Sequence, residues 1–477
     1  MGLPFIHTLS LSSGFYVYDV NMNKILKVPK NIYQKLRNWN DDEITSDNEI
    51  KKLKELGFLK DNRVNIVEHP ATKYLEYYLG SNVEQLVLQV TQNCNLRCKY
   101  CLYTEDSGYN NRKHSNKRMS WETAQKALDF YLMHSKSVNP LLIGFYGGEP
   151  LLEISLIEKC VNYVKDKHTG KDVQFNLTTN GTLITESVAS FLVKNDFSVM
   201  ISFDGPKEIQ NSSRILKDSE TGSYEVVIKN LKALKDKYPE YYSKRVSFNT
   251  VLYSGGHFKD IDNFFNQESL FEDAKLMCSF TAGTYIDKKN NMSQVYMEEY
   301  YYTIFLVFLH KVGWFGKQES PSRLLRKQEN IIGNIEELEL DVSKYSSLPS
   351  KWHRSGPCIP GVFRMFVSVE GKIYPCERVS ELSDVACIGD ISTGIDNQKV
   401  IECLNIERFT KDKCKDCWAY RLCGLCVTSL DCFTELCGKC LEEKCIEFKC
   451  EQEETLKDYI ALKELGYDFE KNYLEEE

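Results

Sequence analysis

Histidine is scarce in this chain of 477 residues, with eight in all. Only His353 stands near the C-terminal cysteines, which disfavours mixed Cys/His zinc fingers. Long basic runs are missing too. With 60 Lys and Arg against 68 Asp and Glu, the net charge is −8. No cationic stretch can track a phosphate backbone, so a general nucleic-acid binder is excluded. No apolar run reaches the roughly 20 residues a membrane-spanning helix needs. Tyr300 to Leu309 is the longest at about ten, and its flanks read as the ends of a buried core helix. The opening MGLPFIHTLS lacks the basic start and apolar centre of a secretory signal, and Ile6 stands where N-myristoylation needs Ser or Thr. These gaps together point to a cytoplasmic chain with neither a membrane nor a nucleic-acid partner.

Cysteine is what the chain has in excess. Of 18, five (Cys94, Cys98, Cys101, Cys160 and Cys278) precede residue 300, and thirteen fall between Cys358 and Cys450. In a reducing compartment such density means thiolate ligands before disulfides.

Three regions precede this tail. Residues 1–80 open with a predicted hairpin, GFYVYDV (14–20) and KILKVP (24–29), around Asn21-Met22-Asn23. Two helices, near 30–39 and 47–56, follow, which suggests a winged-helix-like unit. A cap on the next domain is the plainer reading. Residues 81–285 alternate between apolar β-rich runs (85–91, 141–147, 173–179, 197–204, 245–252 and 274–280) and helical stretches (121–134, 153–167, 185–195 and 223–237). Such alternation predicts an α/β fold with a parallel sheet, either a partial barrel or a doubly wound sheet. Its chemistry belongs in the loops after the strands. Residues 286–350 read as a helical connector, residues 351–477 as a Cys-rich domain, and 451–470 as a terminal amphipathic helix.

The loop after the first strand of the α/β region reads Cys94-Asn-Leu-Arg-Cys98-Lys-Tyr-Cys101. Three thiolates so close together can take three corners of a [4Fe–4S] cubane. Since such clusters normally have four Cys ligands, one iron is left open for a small molecule. The competing reading is a zinc knuckle that borrows Cys160 or Cys278. Zinc sites usually pair two-Cys hooks, which the triplet does not.

With Tyr100 before its last cysteine, the triplet resembles the signature of radical S-adenosylmethionine (SAM) enzymes. The resemblance implies a partial (β/α)6 barrel and a cluster at Cys94, Cys98 and Cys101. Its open iron would chelate SAM, and one electron would cleave the sulfonium to give a hydrogen-abstracting radical. Gly147-Gly148-Glu149-Pro150 is similar to the family's element that contacts the SAM amino group. Asn180 in Thr179-Asn180-Gly181, Ser202 and Asp204 in Ser202-Phe203-Asp204-Gly205-Pro206, and Arg214 resemble the loops around the SAM ribose and carboxylate. Asn249-Thr250-Val251 falls on the adenine side. Tyr100, Gly147, Gly148, Glu149, Asn180, Ser202, Asp204 and Arg214 are thus the implied cofactor-binding residues; no protein acid or base is assigned.

The tail resembles the SPASM extension of radical SAM maturases, which holds two auxiliary [4Fe–4S] clusters. By position, Cys358, Cys376 and Cys426 would hold the proximal cluster. Cys414, Cys417, Cys423 and a late cysteine, Cys450 in preference to Cys445, would hold the distal one. The spacing Cys423-Gly-Leu-Cys426 departs from the pattern by one residue, and Cys432, Cys437, Cys440 and Cys445 are additional. The proximal cluster is either open or closed by Cys387 or Cys432. Residues 1–80 resemble the leader-binding element of ribosomal-peptide maturases. The expected protein is a peptide maturase using three [4Fe–4S] clusters and SAM, fed by a reductase or by a flavodoxin or ferredoxin. It would form thioether crosslinks from Cys in a precursor peptide whose leader residues 1–80 bind. Carbon–carbon crosslinking and formylglycine-type oxidation are alternatives within the class. A zinc-binding interaction protein is the non-enzyme alternative.

Overall fold

A computed structural model describes residues 3–39, 47–105, 108–167, 170–219, 221–253, 256–281, 292–316, 320–325, 348–354, 358–410 and 413–468. Strands β1 (Ile6–Leu11), β2 (Gly14–Asp19) and β3 (Lys24–Val28) form an antiparallel sheet in that order. The expected hairpin is present, with β1 as an unexpected third strand. Its sequence IHTLSL mixes hydroxyls with apolar residues and gives no clean alternation. Successive side chains of β2 point to opposite faces. Val17 packs with Val28 of β3 and with Ile32, Leu36 and Ile50 of the unit's own helices, Lys30–Arg37 and Asn48–Glu55. Tyr16 and Tyr18 pack on Tyr420, Leu456, Tyr459 and Ile460 of the C-terminal region. His7 stacks on Trp418 with ring centroids 3.9 Å apart. Two-sided burial is why β2 reads as a nearly continuous apolar run.

After the short β4 (Ile66–Val67), which pairs with β13 (Lys351–Trp352), six parallel strands form the centre of the fold: β5 (Gln85–Thr91), β7 (Leu141–Gly147), β8 (Val173–Thr179), β9 (Ser198–Ser202), β11 (Val246–Leu252) and β12 (Lys275–Phe280). Between them lie β6 (Leu96–Cys98) and β10 (Arg214–Leu216), which pair with each other as a separate two-stranded ribbon. The six strands sit side by side in sequence order, each parallel to its neighbour. A doubly wound sheet requires a reversal of order. Unidirectional winding with right-handed crossovers instead gives the curved β/α arrangement of a barrel. The barrel stays open. The outer edge of β5 pairs with β14 (Met365–Val367), and the sheet continues through β15 (Lys372–Tyr374), β16 (Gly389–Asp390) and β17 (Gly394–Ile395). The intervening helices start where side chains satisfy orphan amides: Ser120 accepts from Thr123 N at 3.0 Å, and Thr185 caps the helix Glu186–Lys194.

Two helical expectations change. The helix Gln294–Lys311 buries Tyr296, Tyr300, Thr303 and Val307 but exposes Tyr301, Tyr302 and Phe305, so it covers the edge of the core rather than lying within it. Much of the expected connector, including 326–347, lies outside the described residues. The terminal helix runs Gly438–Glu464, starting well before residue 451. It therefore already carries Cys440 and Cys445, two of the additional cysteines, and Cys450, expected to precede it. Among the described residues, no helix is long and apolar enough to cross a membrane.

Candidate functional site

The C-terminal ends of the six strands border a cavity of about 310 Å³. The Cys94–Cys101 loop enters it from the end of β5. The loop is held by the ribbon in which Cys98 of β6 stands opposite Arg214 of β10, with Lys99 N donating to Ser213 O at 3.0 Å and Lys217 N to Asn95 O at 2.8 Å. Cys94, Cys98 and Cys101 all line the cavity, together with Tyr100, Gly147, Gly148, Glu149, Asn180, Ser202 and Arg214. Asn249 and Val251 line it too.

The two glycines of the Gly-Gly-Glu-Pro element have a role the sequence did not show. They approach protein backbone. A Cβ on Gly147 would stand 2.3 Å from Thr91 O, and one on Gly148 would stand 2.1 Å from Asn93 O. Gly148 N donates to Thr91 O at 3.0 Å and Glu149 N to Asn93 O at 2.9 Å, so the end of β7 is stitched to the cysteine loop. The Glu149 carboxylate accepts from Thr179 Oγ1 at 2.7 Å, Leu151 N at 3.0 Å and Asn180 N at 2.8 Å. Burial nevertheless raises its pKa to about 7. A buried carboxyl poised there gains from a cationic partner. Asn180 ties this group to the cysteine loop, its Nδ2 donating to Asn95 Oδ1 at 2.9 Å.

Asp204 departs from its expected place as a SAM contact. It is 1% exposed and does not line the cavity. Oδ2 accepts from the Tyr100 hydroxyl, from Ser213 Oγ at 3.0 Å and from Arg214 Nε at 2.9 Å; Oδ1 accepts from Arg214 Nη2 at 3.1 Å and Val251 N at 3.2 Å. Every lone pair is used by the protein itself. Asp204 therefore positions Arg214 and Tyr100, which do face the cavity. Burial disfavours the guanidinium's charge, but the surrounding Asp204, Tyr100 and Cys98 outweigh it and hold the Arg214 pKa above its usual value.

The donor set fits an iron–sulfur cluster. Burial, with Glu149 nearby, pushes the Cys94 thiol up to about 12, and burial raises Cys98 as well. Such thiols give up their protons when a cation replaces them. Among the described residues, one cysteine trio has all its sulfurs within 4.8 Å of one another, and it is not this one. Wider spacing suits a cluster with one thiolate on each of three irons. The cavity volume beside it suits a small molecule.

Ten of the thirteen tail cysteines fall into three groups. Cys414, Cys417, Cys423 and Cys445 line a second cavity of about 410 Å³. Cys450, favoured from sequence, is exposed and absent from that cavity's wall. Because the helix is continuous, the five residues from Cys445 to Cys450 turn the side chain away. The wall also supplies Arg354, whose Nη1 donates to Cys423 Sγ at 3.5 Å, and Thr410, whose Oγ1 donates to Cys414 Sγ at 3.2 Å. Cys358, Cys376 and Cys426 are electrostatic neighbours of one another. Neither candidate for closing that group stands ready: Cys387 donates to Gly389 O at 3.5 Å, and Cys432 lies against Cys440. Cys432, Cys437 and Cys440 form the third group. Cys160 is fully buried in the barrel core, as expected of an ordinary apolar thiol.

Sequence reasoning missed one wall of the first cavity, formed by Tyr103, Tyr109, His114 and Tyr146. His114 Nε2 lies 3.9 Å from Cys101 Sγ, and burial, with Arg97 nearby, lowers its pKa to about 4, so it is neutral near pH 7. No spacing motif marks these residues. Tyr146, directly before Gly147, is the one with a positional signal.

Comparison with known proteins agrees with this geometry. Residues 88–267 match the model of the radical SAM superfamily. The radical SAM cyclopropyl synthase TigE of Paramaledivibacter caminithermalis is 27% identical over 276 residues, 54% of this chain and 55% of that protein. A cysteine-type anaerobic sulfatase-maturating enzyme of Clostridium novyi is 33% identical over 162 residues, 34% of this chain and 42% of that enzyme. These matches span about half the length of the relatives, or less. The structure of native anSMEcpe with bound AdoMet superposes with a TM-score of 0.54 at 23% identity, covering 79% of this chain and 96% of that one, which shows a shared fold. Residues 88–267 of this chain are therefore a radical SAM domain.

Proposed function

We propose that this protein is a radical SAM enzyme that modifies a ribosomally made precursor peptide by forming a thioether between a Cys sulfur and a carbon of another residue. The observation that carries the reading is the convergence of the Cys94/Cys98/Cys101 loop, the Gly147-Gly148-Glu149 turn and Asn180 on one cavity at the strand ends. A SAM-bound [4Fe–4S] cluster held in that cavity would supply reductive SAM cleavage and hydrogen-atom abstraction. Cys94, Cys98 and Cys101 hold three irons. Glu149 offers a carboxylate to the SAM ammonium, and Asn180, Ser202 and Arg214 offer polar contacts. Tyr103, Tyr109 and Tyr146 form an aromatic wall beside this centre.

In thioether formation the peptide loses two hydrogens: one C–H and one S–H bond break and one S–C bond forms. One hydrogen atom leaves with the abstracting radical, and the thiol proton and one electron leave separately. That electron needs an acceptor, which an auxiliary cluster held by the C-terminal cysteines would supply. Cys414, Cys417, Cys423 and Cys445 hold one of them, and Cys358, Cys376 and Cys426 hold three corners of the other. Residues 1–80 bind the leader along the outer edge of β3, by strand addition. Residues 81–285 are the barrel, 286–350 the connector and 351–477 the cluster-bearing domain. A flavodoxin or ferredoxin supplies the initiating electron.

The test is anaerobic incubation with SAM, a reductant and a Cys-rich peptide encoded beside the gene. Loss of two hydrogens together with one alkylatable thiol is the expected product. Deoxyadenosine formation with every tested Cys-rich peptide unchanged would reject the thioether reading. Carbon–carbon bond formation in the peptide is the second reading, favoured by the match to the cyclopropyl synthase. It also removes two hydrogens but leaves every thiol alkylatable.

A further inference from the structure

Cys432, Cys437 and Cys440 remain outside every site above. Their three sulfurs all lie within 4.8 Å of one another, the one such donor trio among the described residues. Cys432 Sγ and Cys440 Sγ are 3.3 Å apart. Thiolates at the corners of a tetrahedron around an ion with metal–sulfur bonds of about 2.3 Å stand about 3.8 Å apart. The trio matches that spacing, whereas a cubane puts each thiolate on a different iron.

The backbone holds this shape by hydrogen bonds of its own. Residues 431–436 close a tight hairpin: Asp431 bridges to Leu436, Cys432 N donates to Glu435 O at 3.0 Å, and Cys437 N donates to Leu430 O at 2.7 Å. Phe433 takes the left-handed conformation at φ +69°, which Asp431 supports by accepting from Phe433 N at 2.8 Å. Ser383 Oγ donates to Asp431 Oδ1 at 2.7 Å, and Asp384 N donates to Phe433 O at 2.8 Å, which pins the hairpin to its neighbour. Cys437 is then the N-cap of the terminal helix, its sulfur accepting from Cys440 N at 3.4 Å. That contact within a Cys-x2-Cys turn is how a two-cysteine hook presents both sulfurs to one side. Gly438 allows the helix to begin hard against the segment Ile406–Thr410, since a Cβ there would stand 2.3 Å from Phe409 O.

We infer that Cys432, Cys437 and Cys440 form a mononuclear site for a thiophilic tetrahedral cation, zinc, separate from the three cysteine groups assigned to clusters. The three sulfurs are half-exposed, so water completes the fourth position. The ion clamps the 431–436 hairpin to the first turn of the helix that carries Cys445 into the second cavity. The inference does not depend on the substrate or on SAM cleavage, so it stands or falls separately from the proposed function.

The experiment is metal analysis of anaerobically purified full-length protein after gel filtration in a chelator. The expected result is one zinc per chain beside the iron. The Cys432→Ser/Cys437→Ser/Cys440→Ser variant should lose that zinc while iron, sulfide and SAM cleavage stay unchanged. Zinc-edge X-ray absorption of the unaltered protein needs no variant to fold, and should give three sulfurs at about 2.3 Å and one light atom at about 2.0 Å. Wild-type protein free of zinc would overturn the site, whether its thiols are free or joined in a Cys432–Cys440 disulfide. Loss of about four irons in the variant with zinc unchanged would overturn it too, because the trio would then serve a cluster.

Discussion

Replacing Asp204 by Asn tests whether the cysteine loop depends on one buried carboxylate. The two oxygens take five donors, three on Oδ2 and two on Oδ1. An amide nitrogen must replace one oxygen. The less damaging orientation still leaves Arg214 Nη2 and Val251 N facing another donor. Each buried donor left unpaired costs about 1–3 kcal/mol. Removing one partner of a buried ion pair costs about 3–5 kcal/mol, and the two figures describe the same loss. The local penalty is therefore about 3–5 kcal/mol, centred on the ribbon of β6 and β10. Hydrogen exchange reads it directly. At about 1.36 kcal/mol per tenfold, the Lys99 and Lys217 amides should exchange roughly 200- to 5,000-fold faster, while Leu177 in β8 stays near its original rate. Asp204→Asn with Arg214→Met should recover most of the loss, because no buried charge is left unpaired. Ribbon exchange within threefold of wild type would refute the bracing role.

Gly148→Ala drives a Cβ into the Asn93 carbonyl and must move the backbone that carries Cys94, so iron loading at the first site should fall severalfold. Gly144→Ala, whose Cβ meets the Asn176 side chain at 2.7 Å, should load nearly normally because that side chain can turn. Glu149 gives a pH dependence. Its carboxyl is protonated below about 7 in the folded protein without ligands and ionises near 4.5 when unfolded. Folding therefore holds the extra proton between these values, and stability falls as pH rises from 5 to 8, by about 3 kcal/mol at this group. Glu149→Gln should flatten that slope in denaturant melts of the cluster-free protein; an unchanged slope would reject the assignment. Cys445→Ser should lower iron by as much as about four per chain, while Cys450→Ser should leave it unchanged; the opposite pattern would restore Cys450 as the ligand.

Periodicity and spacing show the barrel strands and the cysteine triplet because both are local. Strands buried on two faces are continuous apolar runs, and a loop wrapping a cluster needs its ligands close in sequence. What escapes is whatever depends on distant partners. The ribbon of Leu96–Cys98 with Arg214–Leu216 is three residues on each side, joined across more than a hundred residues of chain. Asp204 looks like a loop-end ligand until its donors are seen to come from three other segments. Cys445 and Cys450 are equivalent as text, and only the helix beginning at Gly438 separates their faces. Tyr103, Tyr109 and His114 carry no spacing signal because one irregular connection, between β6 and the helix at Trp121, folds them onto the cavity.

Cys94, Cys98 and Cys101 are proposed above as the SAM-cleaving site. The direct measurement is deoxyadenosine formation from SAM by the anaerobically reconstituted protein under a strong reductant, with and without Cys94→Ala/Cys98→Ala/Cys101→Ala. The wild-type protein should form deoxyadenosine and the variant none, while the variant keeps the iron of its auxiliary clusters. Deoxyadenosine formed equally by both would contradict the claim.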